Sequence, residues 1–310
     1  MKKIKVLLAS PRGFCAGVKR AIDMVDLALK KNQEPIYVRH EIVHNERVVN
    51  DLKKKGAIFV KELEEAPKNS KVIFSAHGVS KKVKQDAKLY KQLTIDATCP
   101  LVSKVHQQIK LYDKKGYKIL LIGHKGHPEV DGIEGQVSQN IIIIENEKQA
   151  KDLKIKEQTK VAYVTQTTLS LNDTSDIIKI LRSKIPNIVG PDLDDICYAT
   201  QNRQIAVSKL ADMSDLVFVV GGENSSNTNR LAEIVKKKSI PVYRISGRED
   251  IKEDWLNGIK TLGITSGASS PEILIDEIIE LLRNNYNIVS VENLDGIREN
   301  IKFKPLEKFS

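Results

Sequence analysis

The chain has 310 residues, enough for two or three domains with cores of their own. Hydrophobic residues at 41% and charged residues at 29% exclude a disordered chain, and aromatics at 5% argue against a stacking platform for single-stranded nucleic acid. The net charge of +10 favours anionic partners, but the lysines are spread along the whole chain rather than gathered into a nucleic-acid stripe.

In chain order, the first apolar run, IKVLLA, is too short for a membrane helix and lacks a small-x-small cleavage site, so it reads as a first strand and the protein as cytoplasmic. Further strand patterns are PIYVRH, KVIFSA, LTIDA, YKILLIG, KVAYVT, NIVG, LVFVVG, PVYRI and TLGITS. Between them, helical periodicity covers 18–31, 45–55, 101–115, 173–184, 201–213, 228–238 and 271–284. The KKK runs at 53–55 and 236–238 fall at helix ends, where cations suit the dipole. This alternation predicts α/β architecture with parallel sheets, whose ligands bind beyond the carboxyl ends of the strands.

The residues just past the strand ends are, in order, Cys15, His44, His77, Cys99, His127, Thr167, Cys197, Ser225 and Ser269. They fall into three groups, each a cysteine loop followed by two polar loops. Cys15 to His44, Cys99 to His127 and Cys197 to Ser225 span 29, 28 and 28 residues. The spacing predicts three similar parallel-sheet α/β modules with pseudo-threefold packing, over 1–97, 98–194 and 195–285, with a tail over 286–310. A threefold arrangement within one chain favours a monomer.

Three well-separated cysteines make no disulfide framework. A lone cysteine is as often a small buried side chain as a ligand; three in equivalent places favour ligation. Zinc sites usually show paired ligands such as C-x₂-C, and none occurs. An iron–sulfur cluster normally takes four thiolates, so three would leave one iron open as a Lewis acid. His44, His77 and His127 suit anion binding, whereas His40, His106 and His124 read as structural or peripheral. GGENSSNTNR and TSGASSPE offer serine, asparagine and free N–H groups at helix starts, where phosphate is welcome. Ser225, Ser226, Asn227 and Ser269 are candidate contacts there, with Ser270 as a helix cap. No Walker loop or G-x-G-x-x-G is present. Glu129 in HPEV is the candidate proton donor; Thr167 and Thr168 in VTQTTLS offer relay hydroxyls. On residues alone, a cysteine-nucleophile enzyme acting on phosphorylated metabolites and a non-catalytic iron–sulfur sensor remain as alternatives.

Together PRGFCAGV, EIVHN, SAHGV, DATCPLV, GHPEV, TQTTLS, DDICYATQNRQ, GGENSSNT and GASSPE make the sequence resemble the LytB/IspH family of 4-hydroxy-3-methylbut-2-enyl diphosphate reductases over essentially its whole length. The resemblance implies a trefoil around one [4Fe-4S] cluster held by Cys15, Cys99 and Cys197, its fourth iron open, or [3Fe-4S] once that iron is lost. It implies diphosphate binding by His44, His77, His127, Ser225, Asn227 and Ser269, with Ser226 and Thr167 completing the pocket and Glu129 supplying protons. The implied reaction is a two-electron, two-proton reductive dehydroxylation giving isopentenyl and dimethylallyl diphosphate, the last step of the non-mevalonate pathway. A ferredoxin or flavodoxin would supply the electrons; no nucleic acid or membrane is expected as a partner.

Overall fold

The computed structural model describes residues 3–139, 141–156, 158–191, 193, 195–306 and 308. Its elements, in order, are β1 (Lys3–Leu8), α1 (Ala16–Lys31), β2 (Ile36–Arg39), α2 (Glu46–Lys54), β3 (Ala57–Val60), β4 (Lys71–Phe74), α3 (Lys81–Leu89), β5 (Leu93–Asp96) and α4 (Pro100–Lys114). They continue with β6 (Lys118–Ile122), α5 (Pro128–Glu134), β7 (Ile142–Ile144), α6 (Glu147–Asp152), β8 (Val161–Thr165), α7 (Leu171–Lys184) and α8 (Tyr198–Ala211). The last are β9 (Leu216–Val220), α9 (Ser226–Lys237), β10 (Val242–Ile245), β11 (Thr261–Ser266), α10 (Ile273–Asn285) and β12 (Asn287–Asn293). The alternation is as expected, and all pairings between these strands are parallel.

The strands form three sheets, ordered β3-β2-β4-β5, β7-β6-β8 and β10-β9-β11-β1-β12. Beside β8, Val189 adds a single parallel bridge to Ala162, so NIVG is not a full strand. A common order follows. In each sheet the strand before the second site of a group (β2, β6, β9) lies beside the strand before its third site (β4, β8, β11). Next comes the segment leading to a cysteine: β5 to Cys99, Val189 to Cys197, β1 to Cys15. The cysteine segment therefore joins the sheet of the group before it, and β1 joins the last, with β12 outside it. This differs from division at 97 and 194. β1 belongs with β9–β11 rather than β2–β4, because its edge pairs with β11 and β12. Residues 287–293, expected as tail, are strand β12.

The chain divides into two compact units. One comprises 1–18, 44–48 and 198–302; the other 19–43, 49–197 and 303–310. In the first, alternate residues of one sheet feed two cores. Val6, Phe218, Val220 and Ile264 pack with Ile275, Ile278 and Leu282 of α10, while Leu7, Val217 and Val219 meet Val207 and Leu210 of α8 and Leu231 and Val235 of α9. In the second unit, Leu120, Ile122 and Tyr163 pack on Ile177 and Leu181 of α7, and Ile119, Leu121 and Val164 on Val105 and Ile109 of α4 and Ile133 of α5. Each such side chain contributes about 1.5–3 kcal/mol by leaving water, so these sheets are rigid platforms for the loops at their ends. Ser80, Asn146 and Ser170 cap α3, α6 and α7, and the lysine runs close α2 and α9 as expected. Among the described residues no helix is long and apolar enough to cross a membrane.

Candidate active site

Each cysteine is the residue directly before a helix: Cys15 before α1, Cys99 before α4, Cys197 before α8. The repeat follows sheet order, since each of these segments leaves its strand or bridge through a short loop and enters a helix directly after the cysteine. A second repeat ties the loops. The Cys15 N–H donates to Ala268 O (3.1 Å), Cys99 N–H to Ala76 O (2.9 Å) and Cys197 N–H to Thr167 O (3.1 Å). Each acceptor is a third-site residue or stands just before one. All three cysteines are half-buried and none is in a disulfide.

Among the described residues no three His, Cys, Asp or Glu side chains are grouped to hold a single metal ion. An iron–sulfur group asks for something different, one thiolate per iron at separate corners. Soft thiol ligands at helix starts, where N–H groups favour a negative sulfur, fit that group. The Val18 N–H already points at Cys15 Sγ at 3.5 Å.

The unit holding Cys15 also gathers His44, Ser225, Ser226, Asn227 and Ser269. Ser269 Oγ donates to His44 O at 3.0 Å. Gly222 lies close against that same carbonyl, where a Cβ would stand 3.0 Å from it. Ser225 caps α9, accepting from the Thr228 N–H at 3.3 Å. Asn227 Oδ1 accepts from the Ala268 N–H at 2.9 Å and its Nδ2 donates to Thr200 Oγ1 at 3.4 Å. All four of Ser225, Ser226, Asn227 and Ser269 are buried. The α9 N-terminus thus faces a set of hydroxyls and an amide suited to a phosphate. Ser270, expected as the cap of α10, is not one: the helix starts at Ile273 with Glu272 before it, and Ser270 Oγ donates to Val220 O at 2.9 Å. Pro271 delays the helix, leaving the hydroxyl to satisfy a strand carbonyl.

The other unit gathers His77, Cys99, His127, Glu129, Thr167 and Cys197. The His77 and His127 rings meet edge to face with centroids 6.0 Å apart. His127 caps α5, its Nδ1 accepting from the Glu129 N–H at 3.1 Å. Glu129 is 2% exposed. Its Oε1 accepts from the Thr167 N–H at 2.6 Å and its Oε2 from Thr167 Oγ1 at 3.1 Å. Burial pushes the Glu129 carboxyl up to about 7; the two Thr167 bonds oppose this, and the nearby Asp195 carboxylate adds to it. A carboxyl that keeps its proton near neutrality in a dry setting is equipped to donate it. Thr168 lies in the same loop, its hydroxyl accepting from Gln166 Nε2 at 3.1 Å.

Gln166 and Asp195 were not singled out from the sequence, and His106 takes the structural role expected of it. Gln166, wholly buried, accepts the His124 N–H on its Oε1 at 3.1 Å and so pins the GHKGHPE loop. Asp195 accepts the Thr165 N–H at 3.2 Å, two residues before Thr167. His106 packs against Gly78, where a Cβ would lie 2.7 Å from its ring and where φ is +85°. The only sequence signal for Gln166 and Asp195 was their position inside TQTTLS and DDICYATQNRQ.

His106 is pulled down to about 4, first by burial, then by Lys110 and Lys84, against a weaker opposing pull from Asp96. An unfolded chain takes up this proton near 6.5, so His106 removes stability as pH falls from about 6.5 toward 4. Glu129 acts oppositely: its folded form keeps the proton longer than an unfolded glutamate, so stability falls as pH rises from about 4.5 to 7. The two contributions offset each other between about pH 4.5 and 6.5. His106→Gln is therefore expected to leave the Glu129 slope exposed, with the urea midpoint higher at pH 5 than at pH 7 relative to the parent; an unchanged difference between the two pH values would contradict it.

Parallel sheets with polar and titratable side chains gathered past their strand ends define an α/β enzyme acting on a small anionic ligand. The family model described as LytB protein matches residues 6–283. Two relatives named 4-hydroxy-3-methylbut-2-enyl diphosphate reductase, from Mannheimia succiniciproducens and Nitrosomonas europaea, are 52% and 49% identical to this chain. The first alignment covers 97% of this chain and 96% of the relative, the second 98% and 97%. Among solved structures, the E-1-hydroxy-2-methyl-but-2-enyl-4-diphosphate reductase of Plasmodium falciparum superposes with a TM-score of 0.94 at 40% identity, over 98% of this chain and 96% of that one. A second, (E)-4-hydroxy-3-methyl-but-2-enyl diphosphate reductase, described as the terminal enzyme of the non-mevalonate pathway, gives 0.65 at 32% identity, covering 91% and 99%. The chain belongs to the LytB family.

Proposed function

We propose that this chain is a 4-hydroxy-3-methylbut-2-enyl diphosphate reductase. It takes an allylic diphosphate to isopentenyl and dimethylallyl diphosphate with two electrons and two protons, releasing the substrate hydroxyl as water. The observation that carries the reading is the buried Glu129 carboxyl, protonated near neutrality and held by Thr167 beside the loops of His127 and Cys197. Bound through Cys15, Cys99 and Cys197, a [4Fe-4S] cluster would supply electrons one at a time and an iron without a protein ligand, able to polarise the substrate hydroxyl.

The chain's own residues do the rest. His44, Ser225, Ser226, Asn227 and Ser269 hold the diphosphate at the α9 N-terminus, and His77 and His127 add donors to it. Glu129 passes its proton by way of Thr167 Oγ1 to the departing hydroxyl. The second proton adds at either end of the allylic unit, which gives the two products. Burial of Glu129 and Thr167 keeps water from competing. A low-potential ferredoxin or flavodoxin in the cytoplasm supplies the electrons; these carriers are acidic, and the net charge of +10 suits them.

His44→Ala and Ser225→Ala are each expected to weaken substrate binding roughly tenfold or more, since each removes a donor to a doubly charged group. Their iron content should stay at the parent level. Binding measured calorimetrically under nitrogen, with iron assayed on the same samples, checks both; unchanged affinity in the two variants would remove these residues from the site. Turnover with reduced viologen separates an enzyme from a sensor.

A further inference from the structure

Two buried arginines repeat one device that the proposed chemistry leaves unused. In the first unit, Arg203 on α8 is 1% exposed. Its Nε and Nη2 donate to Gly13 O at 3.1 and 2.7 Å, two residues before Cys15. The other edge of the guanidinium takes the Glu299 carboxylate at 3.0 Å, and Nη1 also reaches Ala199 O at 3.0 Å. In the second unit, Arg20 on α1 donates through Nη1 to Thr98 O at 3.1 Å and Ala97 O at 3.4 Å, the two residues before Cys99. Its Nε takes Lys304 O at 3.0 Å.

The pattern is the same in both cases. A helix that starts behind one cysteine sends an arginine to the backbone just ahead of another. The second edge of that arginine is filled by the chain's last segment, residues 294–306, which has no regular secondary structure. That segment is itself fastened: Leu294 N–H donates to Leu8 O at 2.9 Å, Lys209 Nζ to Asp295 O at 3.0 Å and Asn202 Nδ2 to Glu299 Oε1 at 3.0 Å. A Cβ on Gly296 would overlap Ser10 O, so the segment lies directly on the loop leading to Cys15. A guanidinium is rigid, planar and permanently charged, and its fork can hold two acceptors at fixed separation. Burying it costs so much that both edges must be satisfied.

We propose that Arg203 and Arg20 are positioning residues, which clamp the Cys15 and Cys99 loops to the C-terminal segment and so fix where two of the three thiols stand. The clamp holds the thiols ready before any cluster binds, sparing the ordering of two loops at assembly. This rests on the reading of Cys15 and Cys99 as cluster ligands, but the clamp itself is testable without a cluster.

The test uses the full chain in cluster-free form. Alkylation by iodoacetamide is followed residue by residue by peptide mass spectrometry. Arg203→Met with Glu299→Leu removes the pair together, leaving no unpaired buried charge; Glu299→Ala, nearer the surface, serves should the pair variant not fold, and Arg20→Met tests the second clamp. Cys15 should react roughly tenfold faster in the pair variant, the ratio expected for losing a charge-assisted hydrogen bond, and faster by a smaller factor in Glu299→Ala. Cys99 alone should quicken in Arg20→Met. Cys197 should keep its parent rate in every variant. Equal acceleration of all three thiols, meaning general loosening, or no acceleration of any, overturns the clamp. After anaerobic loading, the electron paramagnetic resonance spectrum of the reduced pair variant should differ from the parent's, and an identical spectrum counts against it. Failure of the parent itself to take up iron would overturn the cluster reading and leave the thiol rates to judge the clamp.

Discussion

Glu129→Gln is expected to cut turnover by roughly 10²–10³-fold, the range for loss of a positioned general acid, while leaving iron content and substrate affinity near the parent values. The amide oxygen can still accept the Thr167 N–H, and the amide NH2 in the other position can donate to Thr167 Oγ1 in place of the bond the carboxyl now accepts, so the loop should stay in place, but the amide has no acidic proton to give at neutral pH. Single-turnover reduction with a viologen dye, compared with equilibrium binding, separates the two quantities; a parent-like rate would sink the proton-donor role. The same variant has a thermodynamic signature. The carboxyl, pushed up to about 7 from an ordinary 4.5, carries a cost on the order of 3 kcal/mol at pH above 7, where the folded chain must hold it ionised and buried. Glu129→Gln should therefore be more stable than the parent at pH 8 and close to it at pH 4.5. That sign is opposite to the usual penalty for altering a buried polar residue, which makes the stability measurement a test independent of the kinetics.

The second large effect concerns the thiols. Cys15→Ser, Cys99→Ser and Cys197→Ser should each abolish stable iron binding and the brown colour of an anaerobic preparation, because a hydroxyl is a poor ligand for a soft iron–sulfur centre. Equivalence among the three is the point. Each cysteine starts a helix, and each N–H is tied to a third-site loop at 2.9–3.1 Å, so none is structurally privileged. A nucleophile would behave otherwise, with one variant inactive and the other two retaining activity without iron. Mössbauer spectra with and without substrate would count the irons and show whether one changes its coordination.

Most of the repeated plan was legible because it is written in local chemistry. The nine loop residues stand just past strands, as the period-2 runs and turn residues indicated, except that Cys197 follows a single bridge at Val189. The elements left unread were short or polar. β3, β7, α5 and α6 have three to seven residues, too few for a period to emerge. α3, KKVKQDAKL, buries only Ala87 and so carries almost no apolar stripe. β12, NIVSVEN, read as tail because it offers no buried apolar stripe: none of its residues is fully buried and four of the seven are exposed.

The division into modules was misread for a different reason. Contiguity along the chain suggested that the first strand belongs with the strands that follow it. Pairing instead depends on which edge is open, and β1 completes the sheet of β9, β10 and β11 at the far end of the sequence. Arg203 shows the same limit at the scale of one side chain. A polar residue on a helix reads as solvent-facing, yet α8 buries Thr200, Arg203 and Gln204 alongside Ala206, Val207 and Leu210, because Gly13 O and Glu299 arrive from distant parts of the chain to meet the charge.

The sequence by itself determined the class of fold, the threefold run of cysteine and polar loops, and the family. These depend on residue types and spacings within stretches of ten to thirty residues, where hydrophobic period, turn chemistry and ligand identity are all local. Only the tertiary structure decided which strand joins which sheet, that Ser270 serves a carbonyl rather than a helix end, that burial pushes the Glu129 carboxyl up, and that two arginines tie cysteine loops to the C-terminal segment. Those outcomes depend on desolvation and on long-range pairing. Neither has a signature until the chain has buried the group and brought its partner to it.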